Sequence, residues 1–174
     1  MTLRYCDVTF TFIGYFWIMD QFTLEPLNFP DFSFRVRDTG QSKQIYDSVR
    51  KRFVALTPEE WVRQNLIRLM ADVFMYPASW MAVEKKVEVN GISQRADVVV
   101  YNRAGKPVMI AECKAASVKI TEDTFLQAAR YNMKLNVPFF VLTNGLEHYC
   151  LKWDGQSFGF LDELPPLADI ETIG

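Results

Sequence analysis

Apolar residues recur at helical spacing after Thr57. Val62, Leu66, Leu69, Met70 and Val73 fall on one stripe, which predicts a helix from Thr57 to about Phe74, stopping before Pro77. Thr57-Pro58-Glu59-Glu60 is a start signal: Thr57 caps, Pro58 suits the first helical position, and Glu60 completes a capping box. The period then changes to two. Residues 82–89 alternate around Val83, Val87 and Val89, Asn90-Gly91 marks a tight hairpin, and residues 93–101 run back to Val98-Val99-Val100-Tyr101. After a turn holding Gly105, residues 107–113 read PVMIAEC, an apolar run of the kind buried on both faces. Thr121 to Leu135 forms a second expected helix, with Thr121 as cap and Glu122 and Asp123 at the positive end of its dipole. Phe139–Leu142 is a further short strand, and Asn144-Gly145 and Asp154-Gly155 punctuate two hairpins that end near Phe160.

Upstream, FSFRVR at 32–37 is expected as a short alternating strand in a lead-in broken by Pro26, Pro30 and Gly40. Downstream, Pro165-Pro166 opens an acidic stretch expected to be mobile. The order of elements implies an α/β fold, a mixed β-sheet flanked by helices. The expected organisation is an irregular N-terminal extension over 1–44, one folded domain over 45–162, and an acidic tail over 163–174. Val8 to Met19 is almost wholly apolar. It is shorter than the ~20 residues of a transmembrane helix. It has no small-x-small cleavage site after it. An edge strand and a translation start at Met19 are both open, the second being preferred.

Charge adds a direction. The formal net charge is −2, but residues 35–119 carry fifteen Lys/Arg against nine Asp/Glu, while both ends are acidic. A positive face around a phosphate-binding site and ordinary variation of surface charge both fit. Cys6, Cys113 and Cys150 form no CxxC pair and His148 is the only histidine, which excludes a zinc-site pattern and leaves His148 without an expected catalytic role. Sparse, odd cysteines fit a reducing cytoplasm. No GxSxG elbow and no GxxxxGK[ST] phosphate loop occurs in the sequence, so neither a serine hydrolase nor an ATP-driven motor is indicated.

The chemistry concentrates in the second hairpin. Centring its turn on residues 103–106 faces Asn102 with Pro107 and carries Asp97 opposite Glu112. Lys114, two residues on, points to the same face as Glu112. Two opposed carboxylates repel one another, and a cation between them relieves the cost. Oxygen ligands without Cys or His favour Mg²⁺ or Mn²⁺ over zinc. Asp97, Glu112 and the backbone carbonyl of Cys113 are the expected metal ligands. Lys114 would orient a metal-bound water or stabilise charge developing on phosphorus. Strand-end charge and an i,i+2 surface pair are the plain alternatives for these residues taken singly.

Asp97, fourteen intervening residues, then Glu112-Cys113-Lys114 resembles the PD-(D/E)xK nuclease motif. Gln127-Ala128-Ala129-Arg130-Tyr131 matches the QxxxY motif that follows the core in a subset of these nucleases, and Gln127 and Tyr131 share a helix face. The stretch Thr57 to Gln64 is similar to the helix opening of the amino-terminal nuclease domain of type I restriction enzyme R subunits. The likeness covers roughly residues 45–153. It departs from the motif at Ala96, where the family name has proline. The resemblance implies a restriction-endonuclease-like fold and Mg²⁺-dependent cleavage of DNA, as an endonuclease, to a 5′-phosphate and a 3′-hydroxyl. It implies Glu60 as an acidic residue near the metal, and Gln127, Tyr131 and Gln64 as substrate contacts. DNA and restriction-modification or helicase subunits are the expected partners, with no membrane. Lys85, Lys86, Arg95 and Lys119 are phosphate-contact candidates or solvated charges. The competing class is a nuclease-fold module, weak or inactive, that binds nucleic acid or a restriction or repair partner.

Overall fold

A computed structural model describes residues 24–89, 91–126 and 137–173. Two sheets form. The smaller is antiparallel, of strands β1 (Val36–Asp38), β2 (Lys43–Asp47) and β3 (Arg52–Ala55). The larger has six strands in chain order: β4 (Met81–Val89), β5 (Ile92–Tyr101), β6 (Pro107–Cys113), β7 (Phe139–Thr143), β8 (His148–Trp153) and β9 (Phe158–Leu161). Among the described residues only β6 and β7 pair in parallel, a pairing that needs a long connection and not a tight hairpin. The fold is therefore the expected α/β arrangement with a mixed sheet.

Alternation along the central strands builds two cores. Val98, Val100, Ala111, Cys113, Phe139 and Val141 join one cluster, with Val62, Leu66 and Ile67 of the helix α1 (Pro58–Arg68) and Met70 just after it. Val99, Ile110, Phe140, Leu142 and Leu151 join the other, covered in part by Ile120 and Phe125. Burial on both faces explains why β6 reads as an unbroken apolar run.

Helix α1 begins as its sequence predicts: the Thr57 side chain accepts a hydrogen bond from the Glu60 amide at 3.1 Å, with Pro58 in the first turn. Its last turn widens into a π-helical stretch, Leu69–Val73. At the hairpins, Val89 faces Ile92 around Gly91, whose φ is 75°; Asn90 lies outside the described residues. Gly145 has φ 85°, and a Cβ there would come within 2.7 Å of Leu27 Cδ2. That turn is tied to the lead-in, since the Asn28 amide donates to the Gly145 carbonyl at 2.7 Å.

Three expectations need correcting. The lead-in is not irregular up to residue 44: it supplies β1 and the start of β2, which the boundary at 44/45 cuts. Within FSFRVR only Val36 and Arg37 are in a strand, because that sheet pairs Val36 with Ile45 and leaves Phe32 and Phe34 outside the ladder. The C-terminal stretch is docked. Leu164 and Ile170 are buried, the Tyr76 hydroxyl donates to the Pro165 carbonyl at 2.5 Å, and the Asn102 side chain donates to the Ile173 carbonyl at 2.6 Å. Finally, the β5–β6 turn is tighter than assumed. Asn102 Oδ1 accepts from the amides of Ala104 and Lys106, Tyr101 faces Pro107, and the ladder shifts register between Val100 and Tyr101. The shift cancels the error, so Val98 still faces Ala111.

Of the second expected helix, residues 122–126 are helical. The apolar stretch Val8–Met19, and Gln127 and Tyr131, lie outside the described residues.

Candidate active site

The register that sets Val98 opposite Ala111 puts Asp97 beside Glu112, one step beyond the last ladder pair. Asp97 Oδ2 takes the Cys113 amide at 2.7 Å, so the carboxylate finishes the ladder that the backbone leaves. Across β5 on the other side, Val83 faces Val98 and Lys85 faces Ala96. Glu84 therefore comes opposite Asp97, and its φ of 50° is in the left-handed region that a side chain disfavours. Lys114 Nζ donates to Glu112 Oε1 at 2.8 Å, as expected for residues two apart in an extended segment.

The electrostatics are those of crowded carboxylates. Burial raises the Glu112 pKa above the ordinary glutamate value, and the Asp97 charge raises it further, while Lys114 works the other way. Burial alone would lower the Lys114 ammonium; the hydrogen bond and charge of Glu112 outweigh it and hold it above the ordinary lysine value. The Cys113 thiol is pushed well up by burial and then by Asp97, so it stays protonated and is no nucleophile.

A residue absent from the sequence reading organises the site. Arg63 Nη2 donates to Asp97 Oδ1 at 2.8 Å and to Glu59 Oε1 at 3.0 Å, and Nη1 donates to Glu60 Oε2. Its side chain is 5% exposed. Desolvation lowers a guanidinium, but the charges of Asp97 and Glu60 overcome it and raise Arg63 above its ordinary value. Arg63 Nε is buried and has no hydrogen-bond partner among the described residues. The signal was in the helix pattern: Arg63 is a charge in line with Ile67 and Met70 on the core-facing stripe, with Glu59 and Glu60 one turn before it.

The remaining candidates divide. Glu60 is buried and engaged on both oxygens, by Arg50 Nη2 at 2.5 Å and Gln64 Nε2 at 2.8 Å on Oε1, and by Arg63 on Oε2. It reaches Asp97 only through Arg63. Gln64, expected to face the site, is instead 2% exposed. Its amide donates to Asp47 Oδ2 and Glu60 Oε1, which uses both N–H groups inside the protein and leaves none to offer a substrate. Arg95 pairs with Glu84 at 2.9 Å, and Lys85, Lys86 and Lys119 are exposed. A cleft of about 450 Å³ adjoins the site, lined by β3, the start of α1 and Glu84.

Whether these residues suit a divalent cation can be judged from the donors. Asp97 and Glu112 are hard oxygen donors that repel each other, the chemistry that Mg²⁺ or Mn²⁺ satisfies. In this arrangement, however, Arg63 covers Asp97 Oδ1 and Lys114 covers Glu112 Oε1. Among the described residues no group of three or more His, Cys, Asp or Glu is arranged to hold a metal ion. The donor chemistry fits, with Arg63 in competition for one of the oxygens.

Residues 58–165 match the family described as the type I restriction enzyme R protein N terminus. The chain belongs to that family. It is thus a domain of the kind that forms the amino terminus of type I restriction enzyme R proteins. Among solved structures, a fragment assigned as an HsdR subunit of a type I restriction enzyme from Vibrio vulnificus YJ016 matches at 17% identity and TM-score 0.41. The match covers 62% of this chain and 24% of that one, so this R-protein N-terminal domain spans about a quarter of that chain. A protein assigned as a nuclease of the DUF820 group from Anabaena variabilis ATCC 29413 matches at 10% identity and TM-score 0.44, over 75% of this chain and 84% of that one. No curated protein matches significantly. Among the described residues of this R-protein domain, no helix is long and apolar enough to cross a membrane.

Proposed function

We propose that this domain is a metal-dependent nuclease that hydrolyses DNA phosphodiester bonds, with Asp97, Glu112 and Lys114 as its catalytic residues. The observation that supports it best is the meeting of Asp97, Glu112 and Lys114 where the β5–β6 ladder ends, in a chain of this family. Asp97, Glu112 and the Cys113 carbonyl would hold Mg²⁺ or Mn²⁺. The bound ion would supply Lewis acidity toward a phosphate oxygen and acidify a water. Lys114, held charged by Glu112, would place its ammonium on the attacking water or on the charge growing at phosphorus. Arg63 would turn from Asp97 toward the phosphate, where a guanidinium fork matches two oxygens. Gln127 and Tyr131, by the family motif, would contact the DNA backbone. DNA and restriction-modification or helicase subunits are the partners this reading implies, in the cytoplasm.

A second reading has one observation in its favour. Arg63 already neutralises Asp97, as a domain that binds nucleic acid or a restriction partner without cleaving it would allow. Assays on plasmid and single-stranded DNA with Mg²⁺, Mn²⁺ or EDTA separate the two. Cleavage with metal that falls about 10²–10³-fold in Lys114→Ala and at least as far in Asp97→Ala supports the nuclease. Cleavage that survives both substitutions rejects the assigned site. Metal binding without cleavage supports the binding module.

A further inference from the structure

We propose that the outer face of the three-stranded sheet is a stacking platform for single-stranded DNA that leads an unpaired strand to the carboxylate site. The delivery half rests on the nuclease reading; the binding half stands on the following observations.

Arg37 faces Gln44, Gln44 faces Ala55, and Tyr46 faces Phe53. Alternate residues share a face, so Arg37, Tyr46 and Phe53 point outward together while Ile45 and Asp47, both fully buried, point inward. Core formation therefore accounts for Ile45 and not for the two outward rings, which are half-buried. These rings meet edge to face at 5.3 Å. The Arg35 guanidinium lies 4.5 Å from the Tyr46 centroid, and that of Arg37 lies 4.1 Å from the Phe53 centroid. Arg35 and Arg37 are exposed. The surface is thus built of flat groups, aromatic and cationic, layered on one another.

A single strand of DNA has the complementary parts. Each nucleotide brings a π-face, which stacks on a ring or on a guanidinium plane, and a phosphate for the next arginine. A duplex keeps its base faces inside the helix, out of reach of such a surface. Charge agrees. Residues 35–52 carry six Lys/Arg and two Asp in a chain of formal charge −2. One of the two, Asp47, is buried and engaged by Arg50 and Gln64.

The face is continuous with the site. The cleft beside it is lined by Arg52 and Phe53 of β3, by Glu59, Glu60 and Arg63 of α1, and by Glu84. Phe53 belongs to both platform and cleft, and Arg63 at the other end is bonded to Asp97. A strand stacked on Phe53 would enter the cleft that Arg63 also lines.

The test is fluorescence anisotropy of a labelled fifteen-residue oligothymidylate with the full chain in EDTA, so that no cleavage intervenes. Phe53→Ala is expected to weaken binding about tenfold or more. Arg35→Gln with Arg37→Gln, at exposed positions that leave the fold intact, is expected to reduce the slope of log affinity against log salt by about one. A duplex of equal length should bind more weakly and ignore Phe53→Ala. Absence of oligothymidylate binding, binding indifferent to the double arginine variant, or equal losses for duplex and single strand each overturn the platform. If binding behaves as expected but Mg²⁺ elicits no cleavage, the platform stands and the nuclease reading fails. If cleavage proceeds and the platform variants bind as wild type, the reverse holds.

Discussion

Two arginines gather the carboxylates beside the sheet, and Glu60 joins them. Arg50 donates to Asp47 at 2.5 Å, Glu60 at 2.5 Å and Glu84 at 2.7 Å. Arg63 donates to Glu59, Glu60 and Asp97. Each faces three carboxylates, yet the surroundings differ. Around Arg50 the acids are spoken for: Asp47 is fully buried and also accepts from the amides of Val49 and Arg50 and from Gln64, and Glu84, 33% exposed, pairs with Arg95 as well. Around Arg63 the network is open. Glu59 is 46% exposed, Asp97 is 16% exposed, and Arg63 Nε is unpartnered among the described residues. The same ion-pair chemistry fastens the small sheet to α1 in one case and holds the proposed metal-binding carboxylate in the other. What separates them is whether the acids have anything left to bind.

The largest effect tests the closed side. Arg50→Ala strands Asp47 and Glu60 in the interior, and unfolding free energy should fall by ~3–5 kcal/mol, the usual cost of breaking a buried pair. Urea unfolding in EDTA and in Mg²⁺ should give the same loss, because no cation site opens. A loss under 1 kcal/mol, or one that Mg²⁺ repairs, would erase the distinction between the hubs.

Arg63→Ala should behave differently. In EDTA it too is destabilising, since Asp97 and Glu60 lose their partner. It also frees Asp97 Oδ1, so Mg²⁺ should bind more tightly than to the wild type and recover stability, by about 2.7 kcal/mol when present at a hundred times its dissociation constant. The measurement is the thermal midpoint against Mg²⁺ concentration for both chains. A wild type stabilised as much as Arg63→Ala would mean that Arg63 and the cation do not compete for Asp97.

These hubs also mark where the sequence was legible. The pairing of Asp97 with Glu112 could be read because Val98-Val99-Val100 and the run 107–113 are strongly strand-like and bracket a short turn. The bulge between Val100 and Tyr101, paired with Asn102 closing the turn by its side chain, was invisible but harmless to the register. Arg50 and Arg63 were not legible, because hydropathy assigns every arginine to the surface. Only Arg63 gave a clue, as a charge on an apolar stripe. Strands β2 and β3 were missed, and β1 only overlaps the strand expected at 32–37, for a related reason: with three to five residues each they hold too few periods to show alternation, and their inward residue Asp47 is charged. Leu164 and Ile170 were lost among acids in the same way.

A third polar cluster, neutral rather than ionic, sharpens the comparison with the smallest effect. His148 Nδ1 lies 2.7 Å from Thr143 Oγ1, and Nε2 lies 2.9 Å from the Asn28 carbonyl. The carbonyl can only accept, so Nε2 carries the proton and Nδ1 accepts from the hydroxyl. Thr143 in turn accepts the Lys114 amide on its carbonyl at 2.8 Å, which places this cluster against the candidate site. Burial lowers the His148 pKa, and the bond to Asn28 offsets only part of that. The folded state therefore resists a proton that the unfolded chain accepts. Stability contributed this way is complete above the unfolded histidine value of about 6.5. It is lost as pH falls from there through the lowered folded value. His148→Gln should flatten the fall of unfolding free energy with acidity in that window. Mg²⁺-dependent cleavage by folded chain at pH 7.5 and above should change little, since His148 there is neutral and only buttresses Thr143. A cleavage rate that drops a hundredfold in His148→Gln while the unfolding curve keeps its slope would reverse the assignment and make His148 a working part of the site.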